Sequence, residues 1–141
     1  MKSILEINNL DVCFPSKLGA TYAVQDVEIR LERGEILGVV GESGAGKSTV
    51  GNAIINLLEP PGRITRGKII FDGKNIENLT DSEMQSIRGK RIGMIFQDPQ
   101  TSLNPLMTVG AQLCETIKNV TNLKGKAIFN KAIDLLNSVG L

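Results

Sequence analysis

The chain has 141 residues, 41% hydrophobic and 22% charged, which suits one water-soluble globular domain with one modest core. Sixteen basic residues balance fifteen acidic ones, and this excludes the basic footprint of a nucleic-acid-binding surface. There is no histidine, and Cys13 and Cys114 have no CxxC spacing, so zinc is excluded and both thiols are expected to serve as small apolar side chains.

In chain order, Ile4 to Phe14 reads as a strand, with Leu10, Val12 and Phe14 alternating with Asp11 and Cys13. Turn residues follow from Pro15 to Gly19. Ala23 to Leu31 reads as a second strand, with Val27, Ile29 and Leu31 on one face and Glu28 and Arg30 on the other; the pair is expected to form a hairpin. Glu35 to Val40 is a short, nearly unbroken apolar run, the pattern of a strand buried on both faces. Beyond residue 49, Val50, Ala53, Ile54, Leu57 and Leu58 have the spacing of an amphipathic helix that Pro60-Pro61-Gly62 should stop.

Lys68 to Asp72 is a further strand, closed by Asp72-Gly73. Thr80 and Glu83 fit a capping box and predict a short helix from about Asp81 to Arg88, with Gly89 past its end. Arg91 to Phe96 reads as a strand, and helices are expected over Val109 to Val120 and Lys126 to Val139. The last should have an apolar face of Ile128, Ala132, Ile133, Leu135, Leu136 and Val139. An antiparallel start, a strand–loop–helix unit, further strands and then helices make a mixed α/β architecture. No apolar run reaches about 18 residues and MKSILEINNLDV lacks a signal-peptide core, so a cytoplasmic chain is expected.

Between the apolar run and the first helix lies GESGAGKST, residues 41 to 49. Gly41 to Ser48 satisfies GxxxxGK[ST], the P-loop. Gly41, Gly44 and Gly46 leave no Cβ in the way, so the backbone N–H groups of the loop, Glu42, Ser43 and Ala45 included, can turn inward around a phosphate. The helix that follows aims its unpaired N–H groups and positive dipole end at the same phosphates. Lys47 can reach the β- and γ-phosphates, Ser48 can offer its hydroxyl oxygen to Mg²⁺, and Thr49 is placed for the α-phosphate. The dinucleotide fingerprint GxGxxG fails, because Thr49 stands where its last glycine should be. A nucleoside triphosphate with Mg²⁺ is the expected ligand. Gln97, at the end of the Arg91 to Phe96 strand, can give an oxygen to Mg²⁺ or hold a water.

GESGAGKST and Gln97-Asp98-Pro99 together resemble the Walker A motif and Q-loop of the ATP-binding subunit of ABC transporters. GRITRGKIIFDGKNI, IRGKRIGMIFQDP and TSLNPLMTVG are similar to the oligopeptide/dipeptide/nickel importer branch, and IRGKRIGMIFQDPQTSLNP looks more like its D-type subunit than its F-type. The resemblance runs from about Leu5 to Leu141. It implies a P-loop NTPase core with an N-terminal antiparallel β-subdomain and the start of a helical subdomain, with residues 1–100 as core and 101–141 as helical start. It also implies that Phe14 stacks on adenine, with Tyr22 as the rival ring, and that ATP and Mg²⁺ bind. The implied partners are integral membrane permease subunits, a second ATP-binding subunit arranged head to tail and, indirectly, a solute-binding protein, at the cytoplasmic face of the membrane.

The family's LSGGQ-type signature, Walker B aspartate, catalytic glutamate and switch histidine match nothing in the 141 residues, so the sequence is expected to be partial and not catalytically competent alone. Two alternatives stay open at this point: a nucleotide-binding module without hydrolysis, and a soluble ATPase of the same superfamily.

Overall fold

The computed structural model describes residues 3–17, 19–98 and 102–141. The chain divides into two compact units, Met1–Arg88 and Gly89–Leu141.

The first unit is built on a hairpin of two long strands, β1 (Ser3–Ser16) and β2 (Gly19–Glu32), as the alternating pattern predicts. β3 (Arg63–Phe71) pairs antiparallel with the other edge of β1, and β4 (Lys74–Asn75) pairs with β3, giving the order β2-β1-β3-β4. β3 starts five residues earlier than its apolar pattern suggests, because Arg63 and Ile64 continue the ladder opposite Cys13 and Val12. Asp72 and Gly73 both take positive φ, 49° and 80°, the requirement of a tight two-residue hairpin turn.

Simple alternation along β1 does not survive. Register slips follow Ile7, Leu10 and Val12, and the neighbours Val12 and Cys13 are both buried while Phe14 is half-buried. Bulges cause this: an extra residue in one strand bends it and re-aims the side chains beyond. One bulge lies in β2. Val12 pairs with Val24 and Cys13 with Tyr22, so Ala23 has no opposite number.

The helix α1 spans Lys47–Ile54 and ends before the Leu57 and Leu58 of the predicted helix. Asn56 takes φ 52° and stops it: Leu57 N donates to Asn52 O at 2.8 Å and Asn56 N to Ala53 O at 3.1 Å, the paired bonds of a Schellman motif. The prolines lie beyond a helix already closed. Val50 and Ala53 bury one side of α1, and with Ile7, Leu10, Val12, Val24, Ile69, Phe71 and Met84 they form the core of the first unit.

The expected strand over Glu35 to Val40 is absent; the segment joins no ladder. Its side chains keep the two-residue period: Leu37 and Val39 are 42% and 53% exposed, Ile36 and Val40 98% and 94%. Leu37 and Val39 line an apolar groove of about 260 Å³ with Leu5, Ile29, Leu31, Val50 and Ile54. An apolar run expresses a tendency to be buried, but a strand exists only where another strand pairs with it. The expected strand over Arg91 to Phe96 is likewise missing beyond an isolated bridge residue at Ile92, with Ile95 99% exposed.

The second unit holds α3 (Val109–Val120) and α4 (Lys126–Ser138), close to the predicted bounds, while α2 (Asp81–Met84) belongs to the first unit. Thr108 caps α3 through Ala111 N. On α4 only the Ile128, Ala132 and Leu136 stripe is drawn in, while Ile133, Leu135 and Val139 of the expected apolar face are exposed. Gln112 ties the preceding loop to α3, accepting from Asn104 N at 2.9 Å and donating to Asn104 O and Met107 O at 3.0 and 3.1 Å.

α2 (Asp81–Met84) is one turn long, shorter than predicted, and carries the expected capping box: Glu83 accepts from Thr80 N at 2.8 Å and from Thr80 Oγ1 at 2.7 Å. These two bonds, the hydroxyl's foremost, hold the Glu83 carboxyl below its ordinary value of 4.5. A depressed carboxyl adds stability that is present above the ordinary value and is lost as pH falls through the folded value. Glu83→Gln, which keeps an acceptor in the box, is therefore expected to be less stable than the native chain near neutral pH and to converge with it below pH 4.5. Urea denaturation against pH checks this; a gap that widens on acidification contradicts it.

Candidate phosphate-binding site

The loop predicted to cradle phosphate leads directly into α1. Gly46 is the N-cap residue, in the left-handed conformation at φ 86°, and Gly44 also has a positive φ of 82°. Ala45 N donates to Glu42 O at 3.2 Å and closes the turn between Glu42 and Ala45; Val50 N reaches back to Gly46 O at 3.0 Å as the helix winds up. No side chain caps α1, and no acidic residue lies in its first turn. By contrast, α2 has a full capping box and two acids in its first turn. The first N–H groups of α1 are thus left to an external acceptor, and no carboxylate competes for their positive end. α4 also begins without a side-chain cap. What distinguishes α1 is the pair of left-handed glycines and the lysine beside them.

Lys47 folds back across the loop, its Nζ donating to Gly41 O at 2.8 Å and to Glu42 O at 2.6 Å. The ammonium is thereby held on the loop's first turn instead of ranging through solvent. Ser48 is exposed and Thr49 half-buried at the start of α1, within the same turn. Glu42 and Ser43 are exposed loop residues that contribute backbone. Gly41 to Thr49 are thus brought together as predicted.

The loop's place is fixed by β2. A Cβ on Gly46 would lie 2.5 Å from Ala23 O and 2.5 Å from Val24 Cγ1. Ala23 is the extra residue of the β2 bulge, so the irregularity in the hairpin and the start of α1 meet at one point. Sequence patterning does not signal this residue, because a bulge depends on the pairing of two strands.

Phe14 pairs with Thr21 across the hairpin and lies against Gly62, where a Cβ would come within 2.6 Å of its Cε1. Tyr22, one residue before Ala23, is about half exposed. Gln97 belongs to the second unit, where it is exposed; Pro99 of the predicted Q-loop run lies outside the described residues.

A phosphate cradle of this form on an α/β fold defines a P-loop nucleotide-binding protein. The sequence pattern of the ABC transporter family matches residues 24–141, and the chain belongs to that family. It is 45% identical to the oligopeptide transport ATP-binding protein OppD of Bacillus subtilis, over 98% of this chain and 39% of that protein. It is 42% identical to the dipeptide transport ATP-binding protein DppD of the same organism, over 100% of this chain and 42% of that protein, and 39% identical to DppD of Escherichia coli, over 99% and 42%. The chain thus spans about two-fifths of the length of these relatives. Among solved structures, the ATP-binding cassette MJ0796, in a dimeric post-hydrolysis state bound to ADP and Pi, superimposes with a TM-score of 0.83 at 27% identity, over 97% of this chain and 57% of that one. The same bacterial ABC transporter cassette in a second dimeric structure gives the same values. The fold is that of an ABC ATPase cassette, its antiparallel β-subdomain formed by β1 to β4.

Gly46→Ala is expected to destabilise the first unit by about 2 kcal/mol or more, since a Cβ must meet both a left-handed φ and the Ala23 carbonyl. Chemical denaturation checks this; a native midpoint contradicts the close approach.

Proposed function

We propose that the loop from Gly41 to Thr49 binds Mg-ATP, and that in the whole protein ATP hydrolysis powers import of peptides or a similar small solute through a membrane partner. The observation that carries this is Lys47, folded onto the Gly41 and Glu42 carbonyls at the start of a helix that has no cap of its own. A strong anion is the natural acceptor for both the ammonium and the unpaired N–H groups. The nucleotide class, the coupling to transport and the D-type assignment are supported by the likeness to OppD and DppD.

In this proposal the N–H groups of Gly41 to Ser48 surround the β-phosphate, and Lys47 turns from the loop carbonyls to the β- and γ-phosphates. Thr49 donates to the α-phosphate. Ser48 fits magnesium: its hydroxyl stands exposed beside the loop, and an ion held mainly by phosphate oxygens and waters needs no carboxylate cluster of its own. Bound magnesium would neutralise phosphate charge. Gln97 is assigned a second oxygen for Mg²⁺, or a water, from its place in the sequence. Phe14 is assigned the adenine, with its ring steadied by Gly62. Hydrolysis is assigned to the whole protein, where Lys47 and Gln97 contribute to a larger catalytic set; these 141 residues are assigned binding.

Residues 1–100 act as nucleotide-binding core and 101–141 as the start of the helical subdomain. The proposed partners are membrane permease subunits, a second ATP-binding subunit head to tail and, indirectly, a solute-binding protein, at the cytoplasmic face of the membrane and without nucleic acid. No helix among the described residues is long and apolar enough to cross a membrane. Exposed Leu103, Leu106 and Met107, on the loop that Gln112 steadies, offer the permease an apolar contact.

Lys47→Ala is expected to weaken Mg-ATP binding roughly 30-fold or more, by calorimetry on the 141-residue chain; unchanged affinity removes Lys47 from its assigned role. Gln97→Ala in the whole protein is expected to leave ATP affinity within about threefold and to lower transport per ATP hydrolysed. Equal losses in binding and transport contradict that assignment.

A further inference from the structure

α1 has a second end. The carbonyls of its C-cap residue Ile55 and of Asn56 just beyond accept from one side chain: Arg88 Nε donates to Ile55 O at 2.7 Å and Arg88 Nη2 to Asn56 O at 2.6 Å. The guanidinium is mostly buried, with its side chain 22% exposed, and its third arm reaches Asp81 at 3.1 Å. Asn56, the left-handed residue that closes the helix, also donates its side-chain amide to Leu79 O at 3.2 Å. The end of α1 is therefore bound to the segment 79–88 by three hydrogen bonds from two side chains, Arg88 and Asn56.

The mechanical setting gives these bonds their weight. α1 is only eight residues long, about 12 Å. Val50 and Ala53 are the residues it buries, and beside them Ile54 lines an open groove with Leu37 and Val39. A short helix with so narrow a buried stripe can pivot on it. The contact of Gly46 with Ala23 limits motion at one end, and the Arg88 fork limits it at the other. A cation at the carbonyl end also complements the helix dipole whose positive end faces the loop. Arginine suits this task because its rigid fork meets two acceptors at once, which a lysine ammonium on a flexible stem does not.

We infer that Arg88 is a positioning residue for phosphate binding: by clamping the Ile55 and Asn56 carbonyls it holds α1 so that the N–H groups of the 41–49 loop meet the phosphates in register. The inference rests on the Mg-ATP proposal. It deepens that proposal by giving the phosphate site a determinant at the far end of its helix, a residue that itself touches no nucleotide.

The test is calorimetric titration of the 141-residue chain and its Arg88→Ala, Arg88→Lys and Asp81→Asn variants, with Mg-ATP and separately with inorganic tripolyphosphate. It is done at a temperature where circular dichroism shows each variant folded. Arg88→Ala is expected to weaken both probes by the same factor, about tenfold, because a misaligned helix affects the phosphates and not the base. Added ethylguanidinium is expected to restore part of the loss. Arg88→Lys should recover only part of the affinity, and Asp81→Asn should change it by less than about twofold. Native affinity in Arg88→Ala, even with a lowered melting temperature, overturns the inference and leaves Arg88 a structural cap. Loss of ATP binding with tripolyphosphate unaffected also overturns it. Should Arg88→Ala fail to fold, native affinity in Arg88→Lys overturns it equally. Native-chain binding that is abolished by Lys47→Ala but indifferent to Arg88 refutes the inference alone; a native chain that binds neither probe refutes the Mg-ATP proposal and this inference together.

Discussion

The first unit depends on one backbone-to-backbone approach. Gly46 presses against the carbonyl of Ala23, closer than any Cβ would permit, and so sets where α1 begins on the sheet. Two irregularities make the approach possible. The hairpin carries an unpaired residue at Ala23, and the loop carries a left-handed residue at Gly46. A regular strand would keep its groups in the ladder, and any other residue at the N-cap would stand the helix off. The site is thus built by removing side chains and exposing backbone, which also suits it to a ligand rich in acceptor oxygens.

The opposite end of α1 is treated in the opposite way. Its N-terminus is bare, with neither cap nor acid, while its C-terminus has a Schellman closure at Asn56 and the Arg88 fork. Spare hydrogen-bonding capacity is left where a phosphate can use it, and at the other end the Asn52, Ala53, Ile55 and Asn56 carbonyls all accept hydrogen bonds. The same economy appears in Lys47, whose ammonium is satisfied by two loop carbonyls and so stays beside the loop.

The features legible in the sequence were those set by local chemistry. The P-loop, the Thr80–Glu83 box, the Asp72-Gly73 turn and the bounds of α3 follow from residue types at fixed spacing, and the structure has each of them. What escaped depends on partners distant in the chain. The apolar runs at Glu35 to Val40 and Arg91 to Phe96 look like buried strands, yet the first joins no ladder and the second is left with an isolated bridge residue at Ile92. The bulges that break the alternation of the hairpin, so that the neighbours Val12 and Cys13 are both buried, arise from pairing and not from composition. Helix α1 ends at an asparagine that periodicity ignores, and the arginine that closes it lies more than thirty residues away. Of the candidate site, the run Gly41 to Thr49 was legible as a motif, whereas the contacts of Ala23 and Arg88 with the two ends of α1 were not.

Membership of the ABC transporter family gives this geometry its context, and the proposal that rests on it is a physical one, that the backbone of the 41–49 loop receives the phosphates. The most direct measurement is a ¹⁵N–¹H NMR titration of the 141-residue chain with Mg-ADP, following each backbone amide. The account predicts that the largest shifts fall on the amides of Gly44, Gly46, Lys47 and Ser48. Saturable binding that leaves those amides unmoved would contradict it.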